Sequence, residues 1–243
     1  MTIEIIPVRC DAEITAGYDL ATLVIDGFPS LRDDDVVVIT HKAVSKAEGA
    51  VVDLESVTPS ARAVELAGSH SDPRLVELIL EESDQVLRQR GPLFVVVTKH
   101  GFVCANAGID RSNAPRPDSV VLLPRDPDRS AATLRAELES TTGKRLAVII
   151  ADTMGRAWRE GIVGTAIGAS GLSALREMAG EVDPNGYVLA TTAIAVADEM
   201  AAAADLVLGK LDRVPAALVR GYPLVGEGNA ARLIRDPALD LFR

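Results

Sequence analysis

The chain has 243 residues, 48% of them hydrophobic and 25% charged, with a formal net charge of −10. That length suits one large domain or two small ones with a proper core. The acidity argues against a duplex-binding face, and 3% aromatic residues argue against base stacking on single strands, so no nucleic-acid partner is expected. Cys10 and Cys104 are too few for a disulfide framework and lack a zinc spacing, which leaves two free thiols in a reducing compartment. The start MTIEIIPVRC has no signal-peptide pattern, and no apolar run approaches the roughly 20 residues of a membrane helix. A cytoplasmic protein without a membrane partner is expected.

Along the chain, 2–8 alternates and predicts a first strand, 20–25 a short helix, and Asp33-Asp34-Asp35 a turn. The run Val36-Val37-Val38-Ile39-Thr40 is β-branched throughout, the pattern of a strand buried on both faces. It leads into a polar segment with His41, Lys42, Lys46 and Glu48. The spans 59–67 and 72–90 read as helices. In the second, Asp72-Pro73 supplies a cap and a first-turn proline, and Leu75, Val76, Ile79, Leu80 and Leu87 hold one face. Its acids Glu77, Glu81, Glu82 and Asp84 read as a solvated face. A strand over 93–98 turns at His100-Gly101 into a hairpin partner at 102–106, followed by a loop with Asp110 and Asn113. A short strand over 120–123 precedes a helix over 130–142, with Ser130 as cap and Gly143 as stop.

Residues 145–171 carry the clearest site signal. A buried strand over 146–151 ends on Asp152-Thr153 and runs into a loop with Arg156, Arg159, Gly161, Gly164, Gly168 and Gly171. Strand ends present side chains to ligands, an acid there suits a hard cation, and arginines and glycines suit an anion. Beyond it come a helix over 172–178, a turn at 182–186, a strand over 187–196 and a helix over 197–208. A break at 209–213, a last strand over 216–220 and a loop over 221–228 follow. No repeat, linker or composition shift marks a boundary, so 1–243 is read as one unit whose subdomain boundary, if any, is unresolved. Strands and helices mix without a βαβ rhythm, which favours an α+β (mixed α/β) fold over a Rossmann fold.

No G-x-S-x-G elbow and no P-loop is present. Asp110 and Asp152 each follow an apolar strand. They either cap the turns that follow or join in a Mg²⁺ or Mn²⁺ site whose other ligands are waters and phosphate oxygens. Lys46 is either a surface lysine or, on a loop after a buried strand, a phosphate ligand. The glycine run is either a tight loop packed on a sheet or part of an anion site.

The segments ITHKAVSKAEG (39–49), CANAGIDRSN (104–113), ADTMGRAWREGIVGTAIGASG (151–171), VADEMAAAADLVLGK (196–210) and VPAALVRG (214–221) resemble the coenzyme F-420-0:L-glutamate ligase family. The resemblance is collinear from about residue 3 to 228. It implies an intertwined homodimer of mixed α+β fold that adds γ-linked L-glutamate to a deazaflavin coenzyme. GTP would phosphorylate the terminal carboxylate, and the amine would displace phosphate, leaving GDP. It further implies that Asp110 and Asp152 hold the catalytic Mg²⁺ or Mn²⁺ and that Thr153 is a ligand of a second ion, with K⁺ a candidate as well. Asp11, Ala12, Glu13, Ile14, His41, Lys46, Asn113, Leu208, Gly209 and Lys210 match nucleotide-contacting positions. Arg156 and Arg159 are placed to hold phosphate or substrate carboxylates, while Lys46, Asn113 and the 209–213 loop suit the nucleotide better than the glycine run, which is left to shape a cover and the acceptor side.

Three positions depart from the family pattern. His41 stands where a serine is usual, Asp11 to Ile14 replace a more apolar turn, and Lys210 stands where some members carry an acid or glutamine. An ammonium cannot ligate a metal, so that ligand would move to a neighbour or a backbone carbonyl. Competing readings are a paralogue joining a different carboxylate and amine, and a non-catalytic nucleotide- or deazaflavin-binding protein.

Overall fold

The computed structural model describes residues 2–241. In chain order its regular elements are β1 (Glu4–Val8), α1 (Leu20–Gly27), β2 (Asp35–Thr40), α2 (His41–Ala47), β3 (Val51–Asp53), α3 (Ala61–Ala67) and α4 (Pro73–Glu81). There follow β4 (Ser83–Arg90), β5 (Leu93–Thr98), β6 (Val103–Ala105), β7 (Ser119–Val121), α5 (Pro127–Thr142), β8 (Leu146–Arg156) and β9 (Arg159–Ser170). The chain ends with β10 (Arg176–Glu177), β11 (Ala193–Ile194), α6 (Val196–Leu208) and β12 (Ala216–Arg220). The architecture is mixed α/β, as expected.

The main sheet has the order β1-β12-β2-β8-β9. Only β2 and β8 run parallel, with Thr40 opposite Ala151; the other pairs are antiparallel. The continuous apolar runs are buried on both faces, as their composition requires. Val37, Ile39, Val148 and Ile150 pack with α1, α2 and α5, while Val36, Val38, Ala147 and Ile149 pack against α6. Residues 51–123 build a separate layer from the β3–β7 pair, the β4–β5–β6 sheet, α3 and α4, with Phe94, Val96, Val76 and Ile79 at its centre. Among the described residues no helix is long and apolar enough to cross a membrane.

Six expectations need correction. The helix expected over 72–90 stops at Glu81, and 83–90 is the strand β4, paired with β5. Its polar residues mimic a solvated helix face, but the turn at Gly91-Pro92 folds the segment back on β5, and pairing prevails over local propensity. The helix over 130–142 begins earlier, at Pro127, and its cap is Asp126, whose carboxylate accepts from the Arg129 N–H. The segment after β2 is not a polar loop: it is helix α2, with His41, Ala43, Val44, Ser45 and Lys46 buried. Residues 172–178 form no helix, because the Ser173 N–H donates to Val225, the Ala174 carbonyl accepts from Ala197, and Arg176–Glu177 pairs with β11. The strand expected over 187–196 is regular only at Ala193–Ile194.

The sixth correction concerns the glycine run. It is not a loop but the long strand β9, closed against β8 in a hairpin that outruns the rest of the sheet. A β-bulge at Ile167 shifts the register between Ala151↔Ala166 and Ile150↔Gly168. The extra residue turns Gly164 and Gly168, four apart in sequence, toward different helices. A Cβ on Gly164 would lie 2.4 Å from the Ala201 carbonyl oxygen of α6, and one on Gly168 2.3 Å from the Pro127 carbonyl oxygen of α5. The glycines therefore seat two helices directly on strand backbone. Acids in the first turns of those helices take the amides next to the bulge: Asp198 accepts from Ala166 at 2.9 Å and Asp128 from Ala169 at 2.8 Å. Gly168→Ala is expected to lower unfolding stability by about 1–3 kcal/mol through overpacking. Chemical denaturation measures it, and an unchanged midpoint would mean that α5 does not rest on this backbone.

Candidate functional site

A cavity of about 530 Å³ opens where the parallel pairing of β2 and β8 stops, at Thr40 and Ala151. Strand β8 itself does not end at Asp152-Thr153 as expected but runs on to Arg156 in its hairpin with β9. Carboxyl ends of parallel strands are where α/β sheets present ligand-binding groups. The cavity walls come from the segment after β1 (Ala12, Glu13, Ile14), the start of α2 (His41, Lys42, Lys46), Asn113, the part of β8 just beyond its pairing with β2 (Asp152, Thr153) and the end of α6 (Leu208, Gly209, Lys210). Residues separated by up to 200 positions thus meet in one place.

Nitrogen-bearing side chains meet the oxygen donors. Lys42 Nζ lies 2.6 Å from Asp110 Oδ2 and also donates to Ser112 Oγ at 2.7 Å. His41 Nε2 lies 3.3 Å from Asp152 Oδ1, and Lys210 Nζ donates to Thr153 Oγ1 at 3.0 Å. Lys46, buried on α2, donates to Glu13 at 2.7 Å. Two consecutive residues of one helix therefore face one candidate acid each. Asp110 is fixed by two backbone hydrogen bonds with Val121 of β7. Burial pushes the Asp110 carboxyl up, but hydrogen bonds from Lys42 and Ser112 outweigh it and hold the group below the usual aspartate range. Behind the site, burial and then the charge of Asp152 push the Cys104 thiol up to about 12, so it stays a neutral, unreactive core group. Both cysteines are free.

Most of the expected positions converge here. Asp152, Thr153, Ala12, Glu13, Ile14, His41, Lys46, Asn113, Leu208, Gly209 and Lys210 all line the cavity. Asp110 sits just behind it, through Lys42. Asp11 supplies only its carbonyl, to Arg213 Nη1 at 2.7 Å. Arg156 and Arg159 are not brought to the cavity: they face each other across the exposed end of the β8–β9 hairpin. Lys46 stands on a helix rather than the loop expected for it.

The donor set suits a hard divalent ion, since carboxylates and a hydroxyl are the oxygens Mg²⁺ and Mn²⁺ prefer. Among the described residues no three His, Cys, Asp or Glu side chains converge at metal-binding range. An ion would therefore draw on one or two carboxylates, with water and phosphate oxygens completing its shell.

Residues 9–221 match the family described as F420-0:Gamma-glutamyl ligase. The chain belongs to that family. Proteins named coenzyme F420:L-glutamate ligase from Methanothermobacter thermautotrophicus, Methanopyrus kandleri and Archaeoglobus fulgidus are 47%, 44% and 43% identical to it. Those alignments cover all of this chain and 100%, 98% and 97% of the relatives. As an F420-0:gamma-glutamyl ligase family member, the chain is an amide-bond-forming ligase. Sequence reasoning left Lys42 and Ser112 without a part in the site, while Arg213 entered only as the end of the 209–213 loop. Lys42 had one usable signal, its place next to His41 at the end of a buried strand; Ser112 had none, because its contact spans 70 positions.

Proposed function

We propose that the chain adds L-glutamate in γ linkage to coenzyme F-420-0, and to F-420-1, at the expense of GTP. The terminal carboxylate oxygen of the acceptor attacks the γ-phosphorus, the bond to the β-phosphate oxygen breaks, and GDP leaves. The glutamate amine, having lost a proton, then attacks the acyl carbon; the carbon–oxygen bond breaks and phosphate departs. The observation that carries this reading is the meeting of Lys46, Lys210, Asp152 and Thr153 in one cavity where the pairing of β2 with β8 stops. Two ammonium groups there suit phosphate oxygens, and the acid and hydroxyl suit a cation.

In this reading Asp110, Asp152 and Thr153 would hold Mg²⁺ or Mn²⁺, with K⁺ as a further ion. Such an ion, when bound, neutralises charge on the β- and γ-phosphate oxygens. Lys46 and Lys210 give up their contacts to Glu13 and Thr153 and turn to the phosphates. Asn113, His41, the 11–14 segment and the 208–210 turn surround the rest of the nucleotide. Arg156 and Arg159 hold carboxylate or phosphate groups that approach from outside the cavity, and the protein works as a homodimer. An acyl phosphate must be kept from water, and a cover over the cavity serves that need.

The assay combines the protein with GTP, Mg²⁺ or Mn²⁺, L-glutamate and unglutamylated coenzyme. A product heavier by one or more glutamyl units, together with GDP, is expected. GTP turnover only with another amine would move the assignment to a different acceptor pair, and binding without turnover would remove the enzymatic role.

A further inference from the structure

His41 is 2% exposed and lines the cavity, yet neither of its ring nitrogens has a hydrogen-bond partner. Buried polar atoms are nearly always satisfied, so an imidazole that faces a cavity with neither nitrogen bonded to a protein group points to a ligand. His100 also leaves its Nδ1 without a partner, but its Nε2 lies 3.0 Å from the Pro124 carbonyl oxygen, so of the two only His41 has both nitrogens unpartnered. His41 Nε2 instead lies 3.3 Å from Asp152 Oδ1, close enough for an ion pair but out of line for a hydrogen bond. That same carboxylate oxygen already accepts the Thr153 N–H at 2.6 Å.

The separation has a simple geometric reading. Two donors at about 2.0–2.2 Å from one cation lie roughly 3.0 Å apart at a right angle and about 3.4 Å apart at a tetrahedral angle. The observed Nε2–Oδ1 distance falls between those values. The ring is also held in place: His41 opens α2 directly after Thr40, and its neighbours Ala43 and Val44 are locked in the core.

We propose that His41 Nε2 is a nitrogen ligand of the divalent cation held by Asp152, biasing the site toward Mn²⁺ or Co²⁺ over Mg²⁺. The inference rests on the reading of the cavity as a cation site. Its chemistry is that of the donor: imidazole suits first-row transition ions, whereas Mg²⁺ favours oxygen ligands and retains its waters. Waters and phosphate oxygens complete the shell, which agrees with the absence of a third acid or histidine among the described residues.

Pulsed electron paramagnetic resonance on the full chain loaded with Mn²⁺, alone and with the β,γ-imido analogue of GTP, tests this directly. A nitrogen coupling from a directly bound imidazole is expected, and it should change to the ¹⁵N pattern when the three histidines of the chain are ¹⁵N-labelled. His41→Gln should remove the coupling and weaken Mn²⁺ binding by about tenfold or more, a typical cost of disturbing a metal site, with a smaller loss for Mg²⁺. The pair His70→Gln and His100→Gln should retain the coupling, which decides the matter even if His41→Gln fails to fold. Mn²⁺ that binds, is lost with Asp152→Asn, yet shows no nitrogen coupling would overturn the role of His41 and leave the cation reading intact. No Mn²⁺ binding under either condition would overturn both.

Discussion

Replacing Asp152 by alanine is expected to abolish ligation, with kcat/KM down on the order of 10³-fold or more, while the fold survives. Losing one electrostatic stabiliser of a developing charge costs about 10²–10³-fold, and if Asp152 anchors the proposed cation its loss removes several such contacts at once. Stability should change little. Asp152 accepts only from the N–H of its own neighbour Thr153 and meets His41 without a hydrogen bond, so few native contacts depend on it. The backbone it leaves behind is held by the β8–β9 register, Asp152 opposite Thr165. Steady-state kinetics with a thermal melt on the same sample checks both halves. Near-normal ligation would remove Asp152 from the mechanism, and a collapsed melt would make its role structural.

The largest stability effect is expected far from the cavity. Asp35, 1% exposed at the start of β2, accepts from Arg220 Nε at 2.8 Å and Nη2 at 2.7 Å, and from the Arg32 N–H at 2.8 Å. Arg220 closes β12 and also donates to the Ser30 carbonyl, so the pair ties one end of the central sheet to the α1–β2 connection. Arg220→Ala leaves a buried carboxylate without its counter-charge, which costs about 3–5 kcal/mol. For a chain of this size that lowers Tm by roughly 6–20 °C, and calorimetry measures it. A double change, Asp35→Asn with Arg220→Met, should recover much of the loss, since the amide oxygen can still accept from Arg32 and no charge stays buried. If the double variant were no better than the single one, packing and not charge would explain the defect.

Much of the sheet was legible because its central strands have little choice. A run such as 36–39, or 146–151, is apolar at every position, and only a strand covered on both faces buries it all. Asp152 and Thr153 stood out for the same reason: they are the first polar residues after such a strand. Other features depend on partners distant in sequence. Residues 83–90 carry the composition of a helix surface and become a strand because β5 lies beside them. The glycines of β9 look like loop residues until α5 and α6 are laid against them. Lys42 gains its role only once the loop bearing Asp110 returns to α2, and the exposed place of Arg156 and Arg159 follows from how far the β8–β9 hairpin runs on.

The junction of β2 and α2 has no spare residue: Thr40 ends the strand and His41 starts the helix. Since one residue advances a helix by about 100°, a single insertion there would swing His41 and Lys42 away from Asp152 and Asp110 together. The far end of the β8–β9 hairpin, exposed and paired only with itself, has no such constraint. An insertion scan read by ligation should therefore find length variation tolerated around 157–158 and forbidden between 40 and 41. The spacing of the two acids is thus written into the chain as an allowed length, so relatives that differ in size should carry their extra residues elsewhere.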